Sequence, residues 1–358
     1  ASDSAASLPL FAPCSPLLSP PLLSSPAVPS LPPMSPLPLI SFALGTVASG
    51  PCASAPERCF KLHGLEAGLM PALALGTWRG SYKDCAAGNF TCVRRAARSS
   101  VAAWIAMGGT HIDTANDYRT QLEVGEAVAA SGADRSSLFL TTKCPGPMGF
   151  AATIQCAEDN LQMLGQYGVN TSGYIDLLLI HFPFVIKPEC YGIAHTPECK
   201  VPYKDADDEA RLESWRALEL LQRQGRARFI GLSDYNTTQL AHTLAHAKQP
   251  VAVHQVEWHP YKHDEDMAKL CRMHGVQLQA WSPLGGATGS VLSDPTVKAI
   301  ASSHGVSTAQ VVLKWSLQRG VAVVTGTDNE AHMKYDLDLW SFELSTEDID
   351  AISALHVV

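Results

Sequence analysis

The sequence predicts an α/β fold, a (β/α)8 TIM barrel in which eight parallel strands close on themselves inside a ring of helices. Short apolar runs alternate eight times with segments of helical periodicity between residues 58 and 358. No GxGxxG motif follows the first run, although a doubly wound dinucleotide-binding sheet would require one there. Several polar side chains lie at or just past the C-terminal ends of the runs, which is the edge where such barrels carry out chemistry.

The apolar runs are short and nearly continuous, as is typical of parallel strands that are buried on both faces. In chain order they cover residues 72–77, 110–113, 138–142, 175–180, 229–232, 251–256, 276–281 and 321–324. Helical spacing marks segments between and after them, at 93–105, through Val124 and Val128, and at 151–164, 215–221, 309–318 and 345–355. Eight such units favour a closed barrel over an open sheet.

Residues 1–57 differ in composition from the rest of the chain. They contain 13 of the 24 prolines, much serine and leucine, and no lysine or arginine. Such a segment builds neither helix nor sheet, so we predict a disordered or targeting-like arm at 1–57 and a barrel domain at 58–358. An apolar stretch at 37–48 precedes small residues that resemble a cleavage site, but the arm has no basic leader.

Composition and charge argue against several classes of partner. The chain of 358 residues has a net charge of -8, so nothing indicates binding to nucleic acid. No apolar run is long enough to predict a membrane span. The ten cysteines lack the spacing of zinc ligands, so no metal site is expected. The pairs Cys85/Cys92 and Cys190/Cys199 are candidates for disulfides if the chain is exported.

Four polar residues at the predicted strand ends form a chemically coherent set: Asp113, Tyr118, Lys143 and His181. A phenol has a pKa of about 10 and is a weak acid near neutrality, but an ammonium at Lys143 would lower the pKa of Tyr118. Asp113 would hold that ammonium and offset its burial. His181 can donate a hydrogen bond to a carbonyl oxygen. This set protonates an oxygen but supplies no electrons, so we expect a hydride-carrying cofactor beside it.

Each of these residues also has a structural interpretation when it is taken alone. Asp113 could cap a helix, Tyr118 could be a loop aromatic, and Lys143 could be a surface charge. His181 follows an apolar run and could be a buried core histidine. Their order along the chain, together with the motifs described next, favours the catalytic interpretation.

The motifs around these residues match a known pattern. They are Leu75-Gly76-Thr77-Trp78, Asp113 to Tyr118, Lys143, Ile180-His181-Phe182-Pro183, Ile230-Gly231-Leu232-Ser233, His254 to Tyr261 and Ala280 to Gly285. In this order, the region from about Phe60 to Leu355 resembles the aldo-keto reductase superfamily, whose members are (β/α)8 barrels that use NAD(P)H. Any one of the motifs alone would be a weak signal, whereas the ordered set is specific.

The resemblance implies a role for each matching residue. Asp113, Tyr118, Lys143 and His181 would be catalytic, with Tyr118 as the general acid in reduction. Trp78, His181 and Phe182 would form the wall of the carbonyl pocket. The expected cofactor contacts are Ser233, Asp234 and Gln255 at the nicotinamide carboxamide, Trp281 stacked on the ring, and Thr77, Ser282, Leu284, Thr327 and His332 elsewhere on the dinucleotide.

Two positions depart from the family pattern. The family usually has Asn where this chain has Asp234, and a carboxylate cannot donate to a carboxamide oxygen. The family also places Lys-Ser after the eighth strand and an Arg six residues past that Lys, where this chain has Gly326, Thr327 and His332. Without those two cations, NADPH is favoured only narrowly over NADH.

The function predicted from these residues is NAD(P)H-dependent reduction of aldehydes and small ketones. A cofactor-binding regulatory subunit on the same barrel and an NADH-preferring alcohol dehydrogenase are the alternatives. A metal-dependent hydrolase is disfavoured because His and acidic ligands do not cluster at successive strand ends. We expect a monomer in the cytosol, with plastid and secretory routes left open, and a polar segment at 187–208 that acts as a partial lid.

Overall fold

Eight parallel strands form a closed barrel in the computed structural model, which describes residues 50–66, 68–78, 84–86, 89–165, 173–186, 200–201, 207–286 and 290–356. An antiparallel hairpin, β1 (Cys59–Leu62) and β2 (Gly68–Pro71), precedes the barrel. The barrel strands are β3 (Leu73–Gly76), β4 (His111–Asp113), β5 (Phe139–Cys144), β6 (Ile175–Ile180), β9 (Ala227–Ser233), β10 (Val253–Glu257), β11 (Gln277–Trp281) and β12 (Ala322–Thr325). They pair in that order, and β12 pairs with β3 to close the ring. The predicted fold class is therefore confirmed.

Two short strands outside the barrel follow β6. They are β7 (Val185–Ile186) and β8 (Lys200–Val201), and they pair antiparallel. The predicted partial lid at 187–208 lies outside the described residues except for β8 and the start of the next helix.

Helices follow the barrel strands along the chain. They are α1 (Phe90–Ala106), α2 (Gln121–Ala130), α3 (Phe150–Met163), α4 (Asp207–Arg223), α5 (Thr237–His246), α6 (Glu265–His274), α7 (Pro295–His304), α8 (Thr308–Gln318), α9 (Glu330–Leu337) and α10 (Thr346–Ser353). Local sequence sets several of their ends. Asn236 and Gln239 form a capping box at the start of α5, and Gly275 in the left-handed conformation ends α6. In the helices the structure describes, none has both the length and the apolar character that a membrane span needs.

The helices pack on the barrel through one large apolar cluster. Trp104 on α1 is fully buried, and its indole nitrogen donates to the backbone oxygen of His111 at 3.1 Å. Gly109 lies against that ring, where a Cβ atom would be 2.2 Å from the indole. The pair Gly108-Gly109 thus ends the helix and also makes room for Trp104.

The hairpin of β1 and β2 covers the N-terminal end of the barrel. Leu62 and Met70 are fully buried in a second apolar cluster with residues near the starts of barrel strands, including Phe139, Leu177 and Phe229. Gly68 faces the Phe229 ring, which an added Cβ would approach to 2.5 Å. This end of the barrel is therefore filled by side chains.

Residues 1–49 of the predicted arm lie outside the described part of the chain, whereas residues 50–57 are described. Cys52 is buried and forms a disulfide with Cys59 at the start of β1. The backbone oxygen of Pro51 accepts a hydrogen bond from Thr110 at 3.4 Å. The C-terminal part of the predicted arm therefore packs against the barrel domain.

Two further disulfides join described cysteines. Cys85 is bonded to Cys92, as the sequence allowed, and Cys144 at the end of β5 is bonded to Cys156 on α3. The other predicted pair, Cys190 and Cys199, lies outside the described residues. Among the cysteines in the described ranges, Cys271 keeps a buried thiol, and burial raises its pKa to about 12.

Candidate active site

The four predicted catalytic residues meet at the C-terminal end of the barrel. Asp113 is the last residue of β4, and Lys143 is the residue before the last in β5. His181 directly follows β6, and its backbone N–H donates to the oxygen of Cys144. Tyr118 ends a short 3-10 turn that follows β4. Parallel strands present their C-terminal ends at one rim, which explains how residues far apart in sequence come together.

Lys143 lies at the centre of the group and is fully buried. Its ammonium donates to Asp113 Oδ1 at 2.5 Å, to the backbone oxygen of Thr114 at 3.0 Å and to the Tyr118 hydroxyl at 3.4 Å. These three acceptors match the three donors of an ammonium group. The burial of this charge is thus offset by a carboxylate and two further oxygens.

The pKa of Tyr118 differs from the sequence-based expectation. Desolvation, together with the negative charges of Asp113, Asp117 and Asp234, raises the pKa of Tyr118 well above its usual value. The expected lowering by Lys143 does not prevail, because that ammonium lies closer to Asp113 than to the phenol. Tyr118 is therefore held as a neutral phenol, the form that can donate a proton.

His181 is held by a carboxylate that the sequence analysis did not identify. Its Nδ1 atom lies 2.8 Å from Oδ1 of Asp117, and both side chains are almost completely buried. Phe182 stacks on the imidazole with ring centroids 4.0 Å apart. The Tyr118 ring meets the imidazole edge-on at 5.4 Å. The histidine ring is thus fixed on two sides and directed toward the phenol.

Aromatic side chains lie close to Tyr118 and to its neighbour His181. Trp78 lies 4.9 Å from the Tyr118 ring, measured between centroids, and Phe184 stacks on Phe182 at 5.1 Å. Trp78 therefore lies beside the predicted acid, and Phe182 lies beside His181. Thr77 is buried below them, and its N–H and hydroxyl both donate to the backbone oxygen of Asp113.

The residues predicted to hold the nicotinamide lie on, or directly after, β9, β10 and β11. Ser233 ends β9, and its fully buried hydroxyl has no hydrogen-bond partner among the described residues. The Gln255 side chain donates instead to Asp113 Oδ2 at 2.9 Å and to Gln279 at 2.8 Å. Because a buried hydroxyl without a partner is costly, Ser233 suits a polar group of a bound ligand such as a carboxamide.

Asp234 and Trp281 interact directly at the same rim. The indole nitrogen of Trp281 donates to Asp234 Oδ1 at 2.8 Å, so the carboxylate fixes the plane of the ring. Asp234 has a left-handed backbone with φ of 59°, and Ser282 has φ of 49°. Leu284 packs against the apolar core just after this turn. Strained backbone of this kind concentrates at ligand sites.

The predicted phosphate-binding residues lie after β12. The Thr327 hydroxyl accepts from the backbone N–H of Asn329 at 3.1 Å and lies 3.4 Å from His332 Nδ1. His332 is exposed in the first turn of α9, and Gly326 is exposed directly after the strand. Thr327 and His332 therefore lie next to each other after β12.

Three polar residues near the site were missed by the sequence analysis. Asp117 pairs with His181, Gln279 links to Gln255, and Asn160 donates to the backbone oxygen of Lys143 at 3.4 Å. Asp117 could have been noticed as a carboxylate directly before the proposed acid. The positions of Gln279 and Asn160 gave no comparable signal. In the described ranges no three His, Cys, Asp or Glu side chains are placed to hold a metal ion.

Comparison with known proteins identifies the family. The model of the Aldo/keto reductase family matches residues 72–356. A glyoxal reductase of Bacillus subtilis is 35% identical over 261 residues, which cover 73% of this chain and 83% of the relative. Aldose reductase B of Dictyostelium discoideum is 31% identical over 314 residues, which cover 85% of this chain and 94% of the relative.

Solved structures show the same likeness. An aldo-keto reductase of Bombyx mori in complex with NADP superposes with a TM-score of 0.71 at 29% identity, over 83% of this chain and 92% of that chain. The barrel, the site at its C-terminal end and these matches agree with one another. The chain therefore belongs to the aldo/keto reductase family, whose enzymes are oxidoreductases that reduce carbonyl groups with a nicotinamide cofactor.

Proposed function

We propose that this enzyme reduces aldehydes and small ketones, with Tyr118 as the proton donor. One observation carries the proposal: the phenol of Tyr118 lies within hydrogen-bonding distance of the Lys143 ammonium and beside His181 at the C-terminal end of the barrel. The relatives named for glyoxal and aldose reduction act on aldehydes, which supports this substrate class.

The site residues divide the chemistry between them. Tyr118 is protonated at neutral pH and can transfer that proton to a carbonyl oxygen as the oxygen gains negative charge. Lys143 then stabilises the phenolate through its direct hydrogen bond, and Asp113 keeps the ammonium in place. His181 orients the carbonyl oxygen by a hydrogen bond. A reduced nicotinamide held beside Ser233 and Trp281 would supply the hydride.

The choice between the two nicotinamide cofactors is part of the proposal. We infer a narrow preference for NADPH over NADH. Thr327 and His332 lie together and can contact a 2′-phosphate, whereas Gly326 offers no charge to it. The test is the ratio of kcat/KM for NADPH to that for NADH, measured in the wild type and in a double variant with Gly326→Lys and His332→Arg. Two added cations should raise this ratio about 10- to 100-fold, since a charged hydrogen bond contributes about 1.5–3 kcal/mol. An unchanged ratio would show that the 2′-phosphate binds elsewhere.

The reductase function is tested by oxidation of NADPH, followed at 340 nm with an aromatic aldehyde. Tyr118→Phe should lower turnover about 100- to 10,000-fold and leave cofactor affinity nearly unchanged, because the acid is lost while the ring remains. Tyr174→Phe is the matched control, since Tyr174 lies before β6 at the opposite end of the barrel. Tight cofactor binding without turnover in the wild type would favour the regulatory-subunit alternative instead.

The cellular compartment and the oligomeric state stay predictions. Disulfides persist in oxidising compartments and are rare in the cytosol, so the bonds Cys52–Cys59, Cys85–Cys92 and Cys144–Cys156 speak against the cytosolic location favoured by the sequence. Alkylation of the natively isolated protein before and after reduction, followed by mass spectrometry, tests this. A monomer remains our expectation, to be checked by analytical ultracentrifugation.

A further inference from the structure

The pair of Asp117 and His181 limits which protons the imidazole can carry. Asp117 lies directly before Tyr118, and its Oδ1 is 2.8 Å from His181 Nδ1. Asp117 is 1% exposed and His181 is 5% exposed, so water screens their interaction weakly. A carboxylate only accepts hydrogen bonds, so Nδ1 must carry the proton in this contact.

A neutral imidazole carries one proton, and that proton is on Nδ1 when Nδ1 donates to Asp117. Nε2 then has a lone pair and repels a carbonyl oxygen instead of binding it. Since Nδ1 is engaged by Asp117, a hydrogen bond from His181 to a substrate oxygen must come from Nε2. Donation from both nitrogens requires the imidazolium form.

The charged groups near the imidazole of His181 also favour its imidazolium form. The charged groups that act on Tyr118 at this rim include the carboxylates of Asp113, Asp117 and Asp234 and the ammonium of Lys143. Lys143 is paired with Asp113 at 2.5 Å, whereas Asp117 is the carboxylate in contact with His181. Phe182, stacked on the imidazole, is uncharged. The carboxylate of Asp117 therefore stabilises a positive charge on the imidazole.

We propose that Asp117 is a positioning residue that keeps His181 doubly protonated, so that Nε2 donates to the carbonyl oxygen during reduction. The inference rests on the proposed reductase function. It goes further because it assigns to Asp117 a role that the function alone does not require. It predicts that reduction weakens as the pH rises and His181 loses its second proton.

The first test reads the charge of His181 directly and needs no activity. In protein with 15N-labelled histidine, the two nitrogens of an imidazolium have similar chemical shifts, whereas those of a neutral ring differ widely. The His181 signals are assigned by their loss in His181→Asn. At pH 7 the wild type should show the imidazolium pattern. A neutral pattern for His181 overturns the proposal, even if the enzyme reduces aldehydes.

The second test removes the charge of Asp117 and keeps its shape. Asp117→Asn can still accept from Nδ1 but no longer stabilises the imidazolium, so the fall in kcat/KM with rising pH should move about 1–3 pH units toward acid. Activity should therefore return as the pH is lowered. A loss that is equal at every pH would indicate a structural role and contradict the proposal.

A matched control is available in a second histidine–carboxylate pair. His304 Nε2 lies 2.9 Å from Asp348 Oδ2, between α7 and α10 on the outside of the barrel. Asp348→Asn removes a similar charge from a similar pair and should leave the pH profile unchanged. If both variants shift the profile alike, the effect belongs to the overall charge of the protein, and the proposal fails.

Discussion

His111 should make the folded protein sensitive to acid. The ring is fully buried, and its two nitrogens contact the backbone oxygen of Pro71 and the hydroxyl of Thr141, each at 2.9 Å. A neutral imidazole satisfies both contacts by donating to Pro71 and accepting from Thr141. Burial lowers the pKa of His111 from 6.5 to about 4. An added proton would turn the acceptor nitrogen into a donor that faces a hydroxyl.

The size of this loss of stability follows from the difference between the pKa of His111 in the folded chain and in the unfolded chain. The unfolded chain binds a proton on this histidine near pH 6.5, whereas the folded chain does so near pH 4. The stability contributed by the neutral ring is therefore complete above pH 6.5 and is lost as the pH falls toward 4. A difference of about 2.5 pKa units corresponds to about 3 kcal/mol over the whole range, and about 2 kcal/mol of it is lost between pH 7 and pH 5.

The assay is urea unfolding at pH 7 and pH 5 for the wild type and for His111→Gln. The variant is expected to be less stable at pH 7, but its further loss on acidification should be about 2 kcal/mol smaller than that of the wild type. His254→Gln is a parallel case, because burial also lowers the pKa of His254 to about 4. The same loss on acidification in His111→Gln and in the wild type would refute the argument.

Three other perturbations have defined outcomes. Burial raises the pKa of Asp336 to about 7, against 3.8 in the unfolded chain, so Asp336→Asn should stabilise by up to about 4 kcal/mol at pH 8 and little at pH 4. Equal gains at both pH values in thermal unfolding would contradict this. Gly125→Ala should lower the free energy of unfolding in urea by about 1–3 kcal/mol, because a Cβ would lie 2.6 Å from a backbone oxygen at the end of α3. An increase in stability would show that α2 can shift. Asp234→Asn should weaken binding of oxidised cofactor relative to reduced cofactor in a fluorescence titration, since the carboxylate beside Trp281 favours a cationic ring. An unchanged ratio of the two affinities would rule that role out.

Much of the barrel was predictable because its strands have a simple local signal. The run at 175–180 is apolar except for Asp176 and became β6 with the same bounds, since a strand buried on both faces allows few polar residues. The hairpin of β1 and β2 was missed because its strands are four residues each and lie among glycines and charged residues. Its partners, such as Phe229, lie far along the chain, so local sequence carried little sign of it.

The sequence was sufficient to predict which residues form the candidate site, but not the direction of the shift in the pKa of Tyr118. Asp113, Tyr118, Lys143 and His181 meet at one rim because each lies near or after the C-terminal end of a parallel strand. The sign of the shift in the pKa of Tyr118 depends on burial and on Asp234, which is more than a hundred residues away in the chain. The pKa depends on charges that only the closed barrel brings close together, so the periodicity of the strands cannot predict it.

The filled floor of the barrel has a kinetic consequence. Because buried side chains from the β1–β2 hairpin and the strand beginnings occupy that end, we expect both reactants to reach Lys143 and Tyr118 from the C-terminal rim. If both use that rim, the more deeply seated reactant would be trapped until the other has left. Turnover would obey an ordered sequence, and the last product to depart would compete with the first reactant to arrive.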